Sequence, residues 1–190
     1  MISKSRKTKE TDITISLDLY GTGKSSIDTG VGFFDHMLES FSKHSLIDLE
    51  VRCSGDIHID DHHSVEDIGI VLGSLLAEAI YPVKNMERFG SANVVMDEAC
   101  VSCDIDLSNR PFLVYESDVS GKVGSFDVEL VEEFFRAFVL NAKITTHIVA
   151  LRGKNKHHII EASFKALAVA LRRALAKNDR VGIPSTKDVL

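Results

Sequence analysis

The five-residue stretch "HHSVE" at 62–66 returns as "HHIIE" at 157–161. Each copy of His-His-x-x-Glu heads a segment with apolar residues at helical spacing, and each follows an alternating stretch that ends in glycine. One such motif is compatible with an ordinary solvated helix start; two in matched context mark a duplicated unit. The flanking patterns repeat in the same order. In the first half, "DITISLDL" (12–19) and "IDLEVRCSG" (47–55) alternate as half-buried strands, around the helical "GFFDHMLESFSKH" (32–44) and before the apolar helix "IGIVLGSLLAEAI" (68–80). In the second half, "ANVVMDEACVSCDIDLSNRPFLVYES" (92–117) supplies strands and "FDVELVEEFFRAFVLNA" (126–142) a helix, with Asp127 as its expected N-cap. The strand "ITTHIVALRG" (144–153) and the helix "NKHHIIEASFKALAVALRRALA" (155–176) complete it. The expected fold is therefore α+β: duplicated strand-helix units making two mixed or antiparallel sheets with paired helices, in a single compact domain with an internal pseudo-twofold repeat. The repeats run from about 8 to 90 and 91 to 180, with a C-terminal tail at 181–190.

On a helix, residues i and i+4 share a face, so His62 with Glu66 can grip one cation and His157 with Glu161 another. The neighbours His63 and His158 lie about 100° further round and must look elsewhere. A pseudo-twofold axis would let each helix lend its spare histidine to the other site, which makes two metals the expected count. Aligning "HMLESF" (36–41) with "EFFRAF" (133–138) sets His36 opposite Glu133, both metal-competent. Sites mixing imidazole nitrogen with carboxylate oxygen suit Mn²⁺, Fe²⁺ or Zn²⁺, and open six-coordination puts Mn²⁺ first. Among the flanking acids, Asp60, Asp61 and Asp67 can serve as helix caps or as partners that orient the histidines.

Other features narrow the function class. A chain of 190 residues with 44% hydrophobic content can bury a substantial core. The net charge of −6 argues against a nucleic-acid partner. The basic run "SKSRKTK" (3–9) reads as short and exposed, has no apolar h-region behind it, and no stretch reaches the length of a membrane span, so the cytoplasm is the expected compartment. Three cysteines, Cys53, Cys100 and Cys103, read as reduced thiols, and the Cys100/Cys103 spacing on a strand points its side chains to opposite faces. "YGTGKSS" (20–26) resembles a phosphate loop, but Asp18 stands where that motif needs its first glycine, so a Gly-rich hairpin turn is expected.

The motifs "TKET" (8–11), "TGVGFFDHML" (29–38), "GDIHIDDHHSVEDIGIVLG" (55–73), "RFG" (88–90), "MDEA" (96–99), "NRP" (109–111), "GKNKHHIIEASFKA" (153–166) and "IPSTK" (183–187) together resemble the imidazoleglycerol-phosphate dehydratase family, in order over essentially the whole chain. The resemblance implies a lyase with two Mn²⁺ per active site. Its reaction would remove water from D-erythro-imidazole glycerol phosphate to give imidazole acetol phosphate, in histidine biosynthesis. It also implies a homo-oligomer of about 24 subunits with active sites between subunits, and no nucleic-acid or membrane partner. By the same resemblance the metal ligands are His36, His62, His63, Glu66, Glu133, His157, His158 and Glu161; many members have histidine where this chain has Glu133. Catalysis falls to Glu10 as the acid/base carboxylate, with His62 and Glu161. Substrate contacts fall to Glu10, His44 and Asp97, and the phosphate to Arg88, Arg110, Lys165, Ser185 and Lys187. A di-metal phosphatase and a metal-storing oligomer are the rival readings, because both would use the same ligands.

Overall fold

The computed structural model describes residues 1–187. In the first sheet, β2 (Thr11–Asp18) turns Ile13, Ile15 and Leu17 inward, fully buried, and its alternate residues outward. It pairs antiparallel with β1 (Ile2–Lys7) on one side and β4 (Asp48–Gly55) on the other, and β3 (Ser25–Asp28) runs parallel to β4. The second sheet copies this plan: β6 (Ala99–Asp106) lies between β5 (Phe89–Met96) and β10 (Thr145–Arg152), with β7 (Phe112–Glu116) parallel to β10. A two-residue ribbon, β8 (Lys122–Val123) with β9 (Phe126–Asp127), occurs only in the second half.

Four helices join the sheets: α1 (Gly32–Ser45), α2 (His62–Ile80), α3 (Glu129–Ala142) and α4 (Lys156–Ala174). Each packs on the sheet of its own half, while α1 pairs with α4 and α2 with α3, so every helix pair crosses between the halves. The helices thus fill the space between two sheets and neither half closes its own core. Phe134 meets Phe34 at 5.2 Å and Phe164 at 5.3 Å between ring centroids, and Phe135 meets Phe164 at 4.8 Å. Burying each such ring contributes about 1.5–3 kcal/mol. This cross-pairing decides the site, because it brings α1 of one half against the histidine-led helix of the other.

The α2–α3 contact is close enough to require glycine. A Cβ on Gly73 would lie 2.3 Å from the Phe138 carbonyl oxygen, and one on Gly69 would lie 2.9 Å from Ala137 Cβ. Alanine is the better helix former by about 1 kcal/mol, yet a backbone oxygen cannot step aside as a side chain can. Gly73→Ala is therefore expected to destabilise by about 1–3 kcal/mol. Thermal melting checks this, and an unchanged or raised Tm would show that the helices have room to part.

Three local expectations need correction. The basic run near the N-terminus is strand β1, whose Lys4 and Arg6 face α2 and pair with Glu78 and Asp67. Alternation was hidden there because the inward positions carry long charged side chains, which also suit an edge strand. Asp127 does not cap α3: it pairs with Lys122 across the β8–β9 ribbon, and Val128 occupies the cap position. Finally, residues 20–24 do not form a hairpin, because β4 lies between β2 and β3. The Thr22 and Lys24 N–H groups donate to Asp48 Oδ1 at 2.7 and 2.8 Å, so this phosphate-loop lookalike wraps the chain's own carboxylate. Among the described residues no helix is long and apolar enough to cross a membrane.

Candidate active site

Both histidine pairs sit in the first turn of a capped helix. Asp60 Oδ1 accepts from the His62 N–H at 2.9 Å, and Asn155 Oδ1 accepts from the N–H groups of His157 and His158 at 3.0 and 3.4 Å. The preceding glycines lie where strand and helix approach closely, and at Gly153 a φ of +147° also favours glycine. A Cβ on Gly55 would lie 2.1 Å from Ser64 Oγ, and one on Gly153 would lie 2.7 Å from Ile159 Cγ1.

The α1–α4 pairing completes a cluster that helix periodicity only half describes. His157 Nε2 lies 3.0 Å from Glu161 Oε2, and His36 Nε2 from the other half lies 3.4 Å from the same oxygen. One ligand atom from each of these three residues lies within 4.8 Å of the other two. Glu161 is buried; burial would raise its carboxyl, but Lys165 at 2.8 Å, with His157 and His36, more than offsets this and holds it below the usual range. Two nitrogens and a buried ionised carboxylate are a donor set that fits a divalent transition metal.

The other half carries the corresponding parts less tightly gathered. His62 and Glu66 lie 3.7 Å apart on α2. Glu133 is the counterpart of His36: α1 and α3 have equal length and end on left-handed residues, Leu46 and Lys143. The Glu133 side chain makes no hydrogen bond or ion pair among the described residues, and no three-ligand cluster forms around it there.

The spare histidines point away from these pairs, each toward two carboxylates. His63 Nδ1 lies 3.0 Å from Asp56 Oδ2, and its Nε2 lies 3.8 Å from Glu10 Oε1. His158 Nδ1 lies 2.8 Å from Glu98 Oε2, and its Nε2 lies 3.8 Å from Asp97 Oδ2. These hydrogen bonds raise both imidazole pKa values, and they engage each ring through Nδ1, leaving Nε2 as its second donor atom. Neither histidine joins the His36–His157–Glu161 cluster within one chain.

The two halves use equivalent carboxylates differently. Glu10 in the β1–β2 turn and Glu98 in the β5–β6 turn each immediately precede the first residue of the central strand, Thr11 or Ala99. Glu98 accepts from the N–H groups of Asn155 and Lys154 at 2.7 and 3.0 Å as well as from His158, and its pKa falls to about 2. It stays an ionised acceptor at neutral pH. In the first half Asp56 takes the histidine instead, at the place where the second half has Lys154, so the Glu10 side chain is released from that duty. Asp56 and Glu98 are the functional residues that sequence reading missed; among many acids, only the strand and helix placement selects them. Of the acids it proposed, Asp60 caps α2, Asp61 makes no side-chain cap bond, and Asp67 is buried against Thr11.

The residues expected to hold phosphate separate into two places. Arg88, Arg110, Ser185 and Lys187 line one open cavity of about 760 Å³, with Ser108 and Asn109. Within it Arg88 is already engaged: its Nε and one NH2 group bind Asp106 at 2.6 and 3.1 Å, and its other NH2 group donates to the Pro184 carbonyl at 2.6 Å. Arg88 thereby ties the C-terminal tail over the sheet, while Arg110 and Lys187 form no ion pair among the described residues. Lys165 lies instead beside Glu161, and His44 belongs to that second place: burial first, then the Lys165 charge, lowers its pKa.

The sequence profile of the imidazoleglycerol-phosphate dehydratase family matches residues 29–171. The chain belongs to this family. It is 82% identical to the imidazoleglycerol-phosphate dehydratase of Sulfurimonas denitrificans over 190 residues, all of both chains. It is 70% identical to that of a Sulfurovum species, again over the full length of both. Among solved structures, the imidazoleglycerol-phosphate dehydratase of Staphylococcus aureus superposes with a TM-score of 0.83 at 45% identity, over 94% of this chain and 100% of that one. The Pyrococcus furiosus enzyme, solved in complex with (S)-C348, gives 0.85 at 38% identity, over 98% and 100%.

Proposed function

We propose that this member of the imidazoleglycerol-phosphate dehydratase family works in the cytoplasm with two Mn²⁺ per active site, in a homo-oligomer of about 24 subunits whose sites form between subunits. The chain is a hydro-lyase that dehydrates imidazole glycerol phosphate in histidine biosynthesis. The observation that carries the metal reading is the His36–His157–Glu161 cluster, assembled across the two halves from helices that share no local sequence. One metal would be held by these three and the other by His62, Glu66 and Glu133. His63 and His158, which lie outside both of these three-ligand sets, would complete the sites of neighbouring subunits. Exposed Ile57, Ile59, Val95 and Leu151 around them suit a surface that another subunit covers.

The reaction breaks the C–O bond on the carbon attached to the imidazole ring and a C–H bond on the next carbon, and the enol so formed takes up a proton beside the ring to give the ketone. When bound, the metal supplies a Lewis acid that steadies negative charge as it develops on the ring. Glu10 takes or returns the proton, a task to which the second half's Glu98 is poorly matched because three donors lower its basicity. The leaving hydroxide takes up a proton and departs as water. Arg110, Ser185 and Lys187 hold the phosphate, remote from the breaking bonds, so their binding orients the substrate rather than entering the chemistry.

The test is conversion of imidazole glycerol phosphate to imidazole acetol phosphate without release of inorganic phosphate, whose appearance would favour a phosphatase. Arg110→Ala should raise KM about tenfold or more, the loss of a charged hydrogen bond, with a smaller change in kcat. An equal fall in kcat at constant KM would place Arg110 in the chemistry instead.

A further inference from the structure

The turn that carries Glu10 is tethered to α2 by a buried polar network that the second half lacks. Thr11 Oγ1 donates to Asp67 Oδ2 at 2.5 Å, and Arg6 pairs with the other Asp67 oxygen. Thr11 is 3% exposed and Asp67 is 7% exposed. From Thr11 the network continues into the turn itself. Thr8 Oγ1 lies 3.3 Å from Thr11 Oγ1 and accepts from the Glu10 N–H at 3.1 Å, while the Asp56 N–H donates to the Glu10 carbonyl at 3.1 Å. The backbone of Glu10 is thus held from both sides. Asp67 also follows His63 by four residues, so one face of α2 sends His63 toward the Glu10 carboxylate and Asp67 toward the turn beneath it.

Strand and helix register locate the equivalents in the second half. Thr11 and Ala99 both open the central strand, Arg6 corresponds to Val94 through the matching hairpin pairs, and Asp67 corresponds to Ala162 through the histidine motifs. All three polar residues are replaced by apolar ones, with Ala99 and Ala162 buried and Val94 packed on the core. The fold therefore closes at this corner without any charge. A buried carboxylate costs desolvation, and apolar replacements of such groups are often neutral or stabilising. Keeping one only in the half that bears Glu10 calls for a reason other than closure.

We infer that Asp67, acting through Thr11 and anchored by Arg6, is a positioning residue that aims Glu10 at the reacting centre. The inference rests on the acid/base reading of Glu10. In the second half no aim is needed, because Glu98 is fixed directly by its three donors.

The experiment gives the first half the second half's chemistry, using the assembled, Mn²⁺-loaded enzyme. The variant Arg6→Val/Thr11→Ala/Asp67→Ala, which replaces the whole network with the residues the fold already accommodates in its other half, is expected to keep the parent's circular dichroism, particle mass and metal content. Its kcat should fall about tenfold to a hundredfold, as a misplaced catalytic group does, with KM within about threefold of the parent. Thr11→Val should share that loss, because it keeps the volume without the hydroxyl, whereas Thr11→Ser should restore kcat to within about threefold. A folded triple variant with parental kcat, a loss shared equally by Thr11→Ser and Thr11→Val, or a loss that tracks metal content would overturn the inference. Glu10→Gln in the same assay separates the two layers: if it turns over normally the acid/base reading itself fails. If it is inactive while Thr11→Val and the triple variant are unimpaired, only the positioning role fails.

Discussion

Glu10→Gln is expected to lower kcat by about 10²–10⁴-fold, the usual contribution of a general acid or base, with particle mass and metal content unchanged. Glutamine preserves the shape and the backbone bonds to Thr8 and Asp56, so the variant removes a titratable group and little else. The expectation follows from a comparison internal to the molecule. The two hairpin turns place equivalent carboxylates beside equivalent histidines, but Glu98 is consumed by Asn155, His158 and Lys154, whereas Asp56 relieves Glu10 of its histidine. A carboxyl held near pKa 2 is poorly matched to proton transfer at neutral pH. Steady-state kinetics with mass measurement checks the point, and full turnover in Glu10→Gln would move the acid/base role to another group.

Chelation is expected to abolish turnover, with Mn²⁺ restoring it. The donor set predicts this: His36, His157 and Glu161 present two nitrogens and one oxygen within reach of a single ion, and Lewis-acid stabilisation contributes several kcal/mol that no side chain nearby can replace. The same treatment should lower the particle mass seen by light scattering. If His63 and His158 serve neighbouring subunits' sites, a bound metal would cross-link subunits and its binding energy would belong to assembly. Persistent turnover after exhaustive metal removal would sink the metal role, and an unchanged mass would separate metal from assembly.

Much of the fold was legible because its signals are local. The core strands alternate, both histidine motifs head amphipathic helices, and the duplication shows as a repeated order of elements. Strand β1 was missed because its inward positions, Lys4 and Arg6, carry charged heads on apolar stems. The Gly-rich loop was read as a hairpin because glycine reports a turn, while the strand that lies between its two ends is specified elsewhere in the chain. In the site, His157 and Glu161 were readable as a pair, and the His36–Glu133 correspondence followed from aligned helices. The partners Asp56 and Glu98 were not, since nothing in either segment distinguishes them from neighbouring acids.

The sequence by itself determined what each helix can grip, because residues four apart share a face whatever surrounds them. It also determined that there are two such helices in matched settings. Only the tertiary structure decided that α1 of one half meets α4 of the other, which carbonyl and carboxylate hold each turn, and that the two halves diverge in chemistry at Thr11, Asp56 and Asp67. The physical reason is range: helical and strand periodicity is set by the nearest few residues. The direction of a buried side chain is set by strand register and helix pairing between residues distant in the chain.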